Sequence, residues 1–320
     1  LDALPRAVGS YSPAARYPCA VHFCSTLETL ATRRGTILSS HSEIKRVTVP
    51  QLMACKGQRK IVALTAHNFS TARIIDEYVD FVLIGDSTAM VAYGLPDTLT
   101  ITVEQIGQHT AAVVKATQHA CIVADMPFGS YQESSAQAFR NAAHLIGKGA
   151  TAVKLEGGLV MAETVRYLVD RGIPVMAHVG LMPQYVNTMG GYLAQGRSPE
   201  AAARILAEAQ ALEQAGAFAI VLEGVAEALG ETITAALAIP TIGIGASVKC
   251  DGQILVTEDM LGLSGERVPK FVKRYANLEE MMRSSVQRYA DEVRAVSFPS
   301  HSIVLVSNAP DFRHTINDHI

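Results

Sequence analysis

The chain has 320 residues, 49% of them hydrophobic, and a formal net charge of −3. This length allows one large domain or two ordinary ones, and the near balance of charge gives no reason to expect a nucleic-acid partner. The sequence has no apolar run that approaches the ~18 residues needed to span a membrane. Its five cysteines form no CxxC pair, which is typical of free thiols in a reducing compartment.

Residues 1–45 differ in composition from the rest of the chain. They are rich in Arg, Ser and Thr and poor in acids, and they lack the apolar core of a signal peptide. Such a leader is typical of a mitochondrial transit segment, and the alternative is a poorly packed N-terminal tail. The prediction is therefore a mitochondrial protein or, if the segment is only a tail, a cytoplasmic one.

From residue 46 onwards, apolar runs alternate with helical patterns. Strands are predicted at 61–66, 81–85, 121–124, 152–156, 174–177, 218–222, 240–245 and 253–261. Helices are predicted at 70–78, 103–117, 134–147, 160–171, 199–214, 226–237 and 278–296. This alternation indicates parallel strands joined by crossover helices, and eight such units in about 250 residues is the size of a TIM barrel.

We therefore predict a (β/α)8 barrel over residues 46–297, followed by a C-terminal tail at 298–320. The competing architecture is a doubly wound open sheet. The barrel is preferred because no GxGxxG follows the first predicted strand, and because unusual polar residues are spread over many strands.

Five predicted strands end at a charged or polar residue, namely Asp86, Asp125, Glu156, His178 and Glu223. In a barrel these ends share the C-terminal rim, where active sites are built. Any single acid there can simply cap the following helix. Five from five different strands are much harder to explain by capping, so the sequence predicts a site at this rim.

The strand at 152–156 carries two charges on one face. Side chains alternate along a strand, so Lys154 and Glu156 point the same way. Charged groups are seldom buried unless they are paired or bind a ligand. A structural ion pair and a functional site both explain the pattern, and in the second case Lys154 neutralises a substrate carboxylate.

Asp86, Asp125 and Glu156 together predict a metal site. Crowded carboxylates repel one another unless a cation neutralises them, and oxygen ligands favour Mg²⁺ over zinc. A 2-oxo acid can chelate such an ion, which would stabilise its enolate. His178 is either a structural histidine or a substrate contact, and Glu223 stands apart as the candidate acid or base.

At these residues the chain resembles a known family, the ketopantoate hydroxymethyltransferases of the pyruvate-enolate group of TIM barrels. The matching stretches are LIGDS (83–87), ADMPF (124–128), VKLEGG (153–158), HVGL (178–181), GGY (190–192), QG (195–196), IGIGA (242–246) and PKF (269–271). They span about residues 47–297. The sequences TAH (65–67) and GSY (129–131) resemble those of fungal members more than others of the family.

The resemblance implies an enzyme of pantothenate synthesis that moves a hydroxymethyl group from 5,10-methylenetetrahydrofolate to 3-methyl-2-oxobutanoate, giving ketopantoate. It implies that Asp86, Asp125 and Glu156 surround Mg²⁺. It also implies that Ser87, Lys154 and the two aspartates hold the oxo acid, with Glu223 as the proton acceptor. Family members form large homo-oligomers, often decamers.

Two other functions stay open beside this one. A C–C lyase or mutase of the same barrel group shares the metal-bound oxo acid, but it typically carries a reactive cysteine where this chain has Gly157 and Gly158. A non-catalytic barrel is expected to lose carboxylates that this chain keeps. Three departures from the family pattern remain. Asn68 stands in place of an acid, and the tail beyond His301 matches nothing in the pattern. Ser247 stands in place of a glycine, where a side chain could hinder a backbone that needs positive φ.

Overall fold

The computed structural model describes residues 46–265 and 268–304, and its framework is a closed barrel of eight parallel strands. Each strand pairs with the next along the chain, and the eighth pairs with the first. The strands are β1 (Ile61–Thr65), β2 (Phe81–Ile84), β3 (Cys121–Asp125), β4 (Ala152–Lys154), β5 (Val175–Gly180), β6 (Ala219–Glu223), β7 (Thr241–Ile244) and β8 (Gly252–Leu255). The predicted (β/α)8 barrel is confirmed, and all eight carboxyl ends meet at one rim.

The helices of the described residues precede, join and follow these strands. They are α1 (Val49–Met53), α2 (Phe69–Ile75), α3 (Thr88–Val91), α4 (Val103–Ala116), α5 (Ser135–Gly147), α6 (Ala162–Val169), α7 (Val186–Met189), α8 (Pro199–Gln214), α9 (Glu227–Ala236), α10 (Thr257–Leu261) and α11 (Leu278–Arg294). Helix α1 comes before β1, and its Leu52 packs among residues of the barrel interior. It therefore closes the end of the barrel opposite the C-terminal rim.

Period-two alternation divides the apolar residues between two cores. Phe81 and Leu83 of β2 belong to the cluster inside the barrel, whereas Val82 and Ile84 belong to the cluster between strands and helices. The same alternation decides which residues at the strand ends point into the barrel. The core thus fixes the direction of the functional side chains above it.

The predicted strand at 253–261 is wrong beyond Leu255. Helix α10 begins at Thr257, whose backbone N–H donates to Thr65 Oγ1 at 3.1 Å. Two acids follow in its first turn, where a helix N-terminus favours negative charge, and Gly262 ends the helix in a left-handed conformation with φ 74°. The tie to β1 and the acids stabilise a helix where the apolar residues suggested a strand.

Two other predicted strand ends move by a few residues. Strand β4 stops at Lys154, so Glu156 lies in the loop after it, next to Gly157 with φ 127°. Strand β5 continues to Gly180 because residues 176–180 pair with β6, which puts His178 inside the strand rather than after it.

The structure accounts for two of the departures from the family pattern, those at Asn68 and Ser247. Asn68 is the N-cap of α2, and its side chain accepts a hydrogen bond from the Thr71 N–H at 2.9 Å. Ser247 has no positive φ, since Val296 is the one non-glycine residue with positive φ in the described ranges. The expected strain at Ser247 is therefore absent.

Helix α11 extends past the barrel with all of its side chains at least partly exposed. Among the helices of residues 46–265 and 268–304, none is long and apolar enough to cross a membrane. The predicted leader at 1–45 lies outside the described residues. The predicted tail is described only to Val304, with a 3₁₀ turn at His301–Ile303, so both segments stay predictions.

Candidate active site

A cavity of about 1150 Å³ opens at the C-terminal rim of the barrel. Its wall contains every residue that the sequence analysis gave a catalytic, substrate or metal role: Asp86, Ser87, Asp125, Lys154, Glu156, His178 and Glu223. They come from β3, β4, β5 and β6 and from the loops that follow β2 and β4. The barrel therefore gathers residues that are far apart in the sequence around one cavity.

Lys154 and Asp125 form a buried ion pair in this wall. They are register partners at the ends of β4 and β3, and Lys154 Nζ lies 2.8 Å from Asp125 Oδ1. Burial alone would lower the pKa of Lys154, but the charges of Asp125, Glu156 and Asp86 hold that pKa above its ordinary value. Lys154 is thus a fixed positive charge facing the cavity.

Gln184, which the sequence analysis did not single out, links two of the carboxylates. Its side-chain Nε2 donates to Asp86 Oδ2 at 2.9 Å and to the Met126 carbonyl at 3.0 Å. Its backbone N–H donates to Glu156 Oε2 at 3.0 Å. The Tyr131 hydroxyl donates to Gln184 Oε1 at 2.7 Å, and it accepts from the Glu156 N–H at 3.1 Å. This network holds both carboxylates in place.

The acids at the base of the cavity outnumber its buried lysine, Lys154. Burial, and then the charge of Asp125, raises the pKa of Asp86 to about 6. Burial raises the pKa of Glu156 well above its ordinary range, with Lys154 opposing the rise and Asp86 and Glu223 adding to it. A cluster with this excess of carboxyl groups holds protons or attracts a cation.

His178 lies between two carboxyl groups and is almost fully buried. Its Nε2 donates to the Leu181 carbonyl at 2.8 Å and lies 3.6 Å from Glu223 Oε2. Its Nδ1 lies 3.7 Å from Glu156 Oε1 and has no hydrogen-bond partner. Burial, and then the charge of Lys154, lowers the pKa of His178 well below its ordinary value, so the imidazole is neutral.

Glu223 ends β6 and faces the cavity, as its alternation with the interior residues Ala219 and Val221 predicts. It does not cap the next helix, because the N-cap of α9 is Ala226, without a side-chain hydrogen bond. Burial raises the pKa of Glu223 to about 8, with Lys154 opposing the rise and Asp86 among the acids that add to it.

The carboxylates at the ends of β2 and β3 fit a hard cation. Asp125 Oδ1 is buried and lies 2.8 Å from Lys154 Nζ, and its Oδ2 accepts a hydrogen bond from the Asp86 N–H at 3.0 Å. In the part of the chain that the structure describes, no three His, Cys, Asp or Glu side chains converge closely enough to hold an ion alone. The predicted metal set of Asp86, Asp125 and Glu156 therefore stays a prediction, in which water or substrate oxygens would supply the remaining ligands, as is usual for Mg²⁺.

A closed (β/α)8 barrel with a buried lysine and several carboxylates at its C-terminal rim has the architecture of a TIM-barrel enzyme. Residues 46–301 match the sequence profile of the ketopantoate hydroxymethyltransferase family. The chain belongs to this family, which confirms the resemblance seen in the sequence, and it is an enzyme of the transferase class.

Two curated relatives illustrate the similarity. The 3-methyl-2-oxobutanoate hydroxymethyltransferase of Parvibaculum lavamentivorans is 56% identical over 264 residues, which cover 82% of this chain and 96% of that protein. The 3-methyl-2-oxobutanoate hydroxymethyltransferase 1 of Pseudomonas aeruginosa is 54% identical over 263 residues, with the same coverage. Both species are bacteria, and the closeness to fungal members stays a prediction.

Solved structures share the fold at low identity. The chain is similar to 2,3-dimethylmalate lyase, a PEP mutase/isocitrate lyase superfamily member, with a TM-score of 0.54, 14% identity and coverage of 81% of this chain and 89% of that one. It is also similar to phosphonopyruvate hydrolase in complex with oxalate and Mg²⁺, with a TM-score of 0.53, 15% identity and coverage of 82% and 92%. At these identities the likeness supports the fold alone.

Proposed function

We propose that the protein transfers a hydroxymethyl group from 5,10-methylenetetrahydrofolate to 3-methyl-2-oxobutanoate, giving ketopantoate and tetrahydrofolate for pantothenate synthesis. One water enters the reaction, because its oxygen becomes the hydroxyl oxygen of ketopantoate. Membership of the family and the names of the relatives support the reaction type. The observation that carries the proposal is a buried lysine that shares its cavity with an unpaired glutamate, Lys154 with Glu223.

Lys154 supplies the charge that a 2-oxo acid needs on entering an acidic cavity. The substrate carboxylate is repelled by Asp86 and Asp125, and a fixed ammonium offsets that repulsion. Ser87 lies on the same wall and offers a hydroxyl donor to a substrate oxygen. These groups orient the oxo acid, so that its C3 hydrogen is presented to the base.

Glu223 is the proposed base for that hydrogen. It is a half-buried carboxyl group without an ion-pair partner of its own except the neutral His178, so one oxygen is free to accept a proton from C3. After it loses this proton, C3 of the oxo acid forms the new bond to the one-carbon unit. The proton on Glu223 is then available to the oxygen of the new hydroxymethyl group.

Asp86, Asp125 and Glu156 are the residues that would hold Mg²⁺, together with oxygens of the oxo acid or water. A bound Mg²⁺ would supply Lewis-acid polarisation of the ketone and carboxylate oxygens of the substrate. Gln184 positions both Asp86 and Glu156 for this task through its hydrogen bonds.

The direct test is incubation of the protein with 3-methyl-2-oxobutanoate, 5,10-methylenetetrahydrofolate and Mg²⁺, with detection of ketopantoate by mass spectrometry. Ketopantoate formed in proportion to enzyme supports the proposal. Its absence, with cleavage of 2-hydroxy or dimethylated diacids instead, would favour a C–C lyase of the same barrel group.

We further propose that the protein forms a large homo-oligomer, since the family resemblance implies such assemblies, often decamers. Helix α11 supports this, because Met282, Val286, Tyr289 and Val293 recur at helical spacing and are all exposed. Exposed apolar stripes of this kind mark interaction surfaces. Light scattering coupled to size-exclusion chromatography measures the subunit number directly.

A further inference from the structure

A second polar pair lies across the barrel from Lys154, after strands β8 and β1. Glu258 is in the first turn of α10 and lines the cavity, and His67 lies beside it with 3% of its surface exposed. His67 Nε2 lies 3.6 Å from Glu258 Oε2, and both atoms are buried without a hydrogen-bond partner. The chemistry of the oxo acid uses neither residue.

Thr88 determines which nitrogen of His67 carries the hydrogen. Thr88 Oγ1 donates to the Gly85 carbonyl at 2.6 Å and also lies 2.6 Å from His67 Nδ1. A hydroxyl has a single hydrogen, so Thr88 Oγ1, having donated to Gly85, must accept from an Nδ1–H of His67. In the neutral imidazole, Nε2 is then a bare lone pair that faces an oxygen of Glu258.

Two bare lone pairs facing each other in a buried place are unfavourable, and a proton between them removes the conflict. Burial, and then the charge of His109, lowers the pKa of His67 to about 4, whereas burial raises the pKa of Glu258. Burial therefore favours the carboxyl group over the imidazole as the holder of the proton that the facing lone pairs call for. Because 16% of the Glu258 side chain is exposed, this carboxyl group is accessible from the cavity.

We propose that Glu258 is the acid that protonates the nitrogen of the one-carbon donor when its bond to the methylene carbon breaks. The inference rests on the proposed function, which makes 5,10-methylenetetrahydrofolate that donor. An amine is a poor leaving group without a proton, and a positioned acid in the cavity supplies one. His67 is a positioning residue that holds the acid protonated.

The step balances without a further reactant. The methylene carbon is held by two C–N bonds, and the electron pair of each goes to its nitrogen as that bond breaks. Glu258 gives its proton to the first nitrogen, and the water that adds to the methylene carbon returns a proton to the Glu258 carboxylate. Glu258 then gives this proton to the second nitrogen as the second bond breaks, and the hydroxyl proton of the added water restores the acid. Tetrahydrofolate and a formaldehyde unit result, and C3 of the oxo acid adds to that unit while the proton on Glu223 goes to its oxygen. Glu223 and Glu258 thus serve different substrates in one cavity, the first on the oxo acid and the second on the donor.

The test separates the donor reaction from the chemistry of the oxo acid. Glu258→Gln keeps the size of the side chain and can donate an amide N–H to His67 Nε2, but it cannot transfer a proton. Three rates are compared with those of the parent: exchange of the C3 hydrogen of 3-methyl-2-oxobutanoate in deuterated water, ketopantoate formation from formaldehyde, and its formation from 5,10-methylenetetrahydrofolate. The matched control is Glu227→Gln, an exposed glutamate in the first turn of α9.

We expect Glu258→Gln to lower the folate-dependent rate by ~10²–10⁴-fold and to leave the exchange rate, the formaldehyde rate and the Kd for tetrahydrofolate within about twofold of the parent. Equal falls in all rates, or an unchanged folate-dependent rate, overturn the proposal. A raised Kd for tetrahydrofolate with no fall in the folate-dependent rate at saturation also overturns the proposal, because it assigns Glu258 to binding of the donor. If the parent exchanges the hydrogen but makes no ketopantoate from the folate donor, the proposed function itself fails.

A second variant guards against a fold defect in the first. His67→Gln leaves Glu258 in place and removes the imidazole lone pair that faces it. We expect a fall in the folate-dependent rate with the exchange rate preserved, since exchange needs the Glu223 side of the cavity and not this pair. A parent-like folate-dependent rate in this variant contradicts the role of His67, and the same result in both variants contradicts the whole assignment.

Discussion

Lys154 and Asp125 are register partners whose charged groups meet at 2.8 Å in the buried wall of the cavity. Lys154→Met should abolish binding of the oxo acid and also destabilise the fold, because it leaves Asp125 as an unpaired buried charge. Removing one partner of a buried ion pair typically costs ~3–5 kcal/mol. Urea unfolding measures the stability, and calorimetric titration with 3-methyl-2-oxobutanoate measures the binding.

The double variant Lys154→Met, Asp125→Asn separates these two effects. With neither charge present, the free energy of unfolding should recover by more than half, since polar or apolar replacement of a whole buried pair is often nearly neutral. Binding of the oxo acid should stay lost. Recovery of binding along with stability would contradict the role of Lys154 in holding the substrate carboxylate.

Chelation of divalent metal should abolish ketopantoate formation, and added Mg²⁺ should restore it. The physical reason is the excess of buried carboxyl groups, among which Asp86 and Asp125 would supply oxygen ligands to a hard ion. Asp125→Ala should weaken metal binding and substrate binding together. Full activity in protein that elemental analysis shows to be metal-free would contradict the metal assignment.

A fluorescent reporter fused to the leader at residues 1–45 should enter mitochondria when it is expressed in a fungal cell. The expectation comes from its arginines and its shortage of acids, because import favours basic, acid-poor segments. A matched control replaces Arg6, Arg16, Arg33 and Arg34 by Gln and should stay in the cytosol. A diffuse signal from the unaltered leader would favour a plain tail.

The barrel and the direction of its strand-end residues could be predicted from the sequence, because both follow from local periodicity. Alternation along β6 was enough to place Glu223 inside. The partners of Gln184 could not be predicted, since they come from three different strand ends that meet only in the folded barrel. Helices α1, α3 and α7 have four or five residues, which is too short to show a helical period.

Glu223→Gln should change how stability depends on pH. A pKa of about 8 in the folded protein, against an ordinary 4.5, means that the neutral carboxyl stabilises the parent fully below 4.5 and that this contribution is lost as the pH rises to about 8. The Gln variant has no such loss. Its stability relative to the parent should therefore rise between pH 5 and 8, by at most ~1.4 kcal/mol per pH unit.

Urea unfolding at a series of pH values in metal-free buffer measures this difference. Glu227→Gln, at the exposed start of α9, is the control and should track the parent across the range. If the free energy of unfolding of Glu223→Gln relative to the parent does not change between pH 5 and 8, the pKa of Glu223 in the folded protein is close to its ordinary value.

The same Glu223→Gln variant decides whether this residue is the base. Gln keeps the size and most of the hydrogen bonding of the side chain, and the helix after β6 does not depend on it, because the N-cap of α9 is Ala226. A base role predicts that ketopantoate formation falls ~10²–10⁴-fold and that exchange of the C3 hydrogen in deuterated water, measured without folate, falls with it. Exchange at the parent rate would move the assignment to another group in the cavity. His178 is one such neutral acceptor, since its Nδ1 has no hydrogen-bond partner.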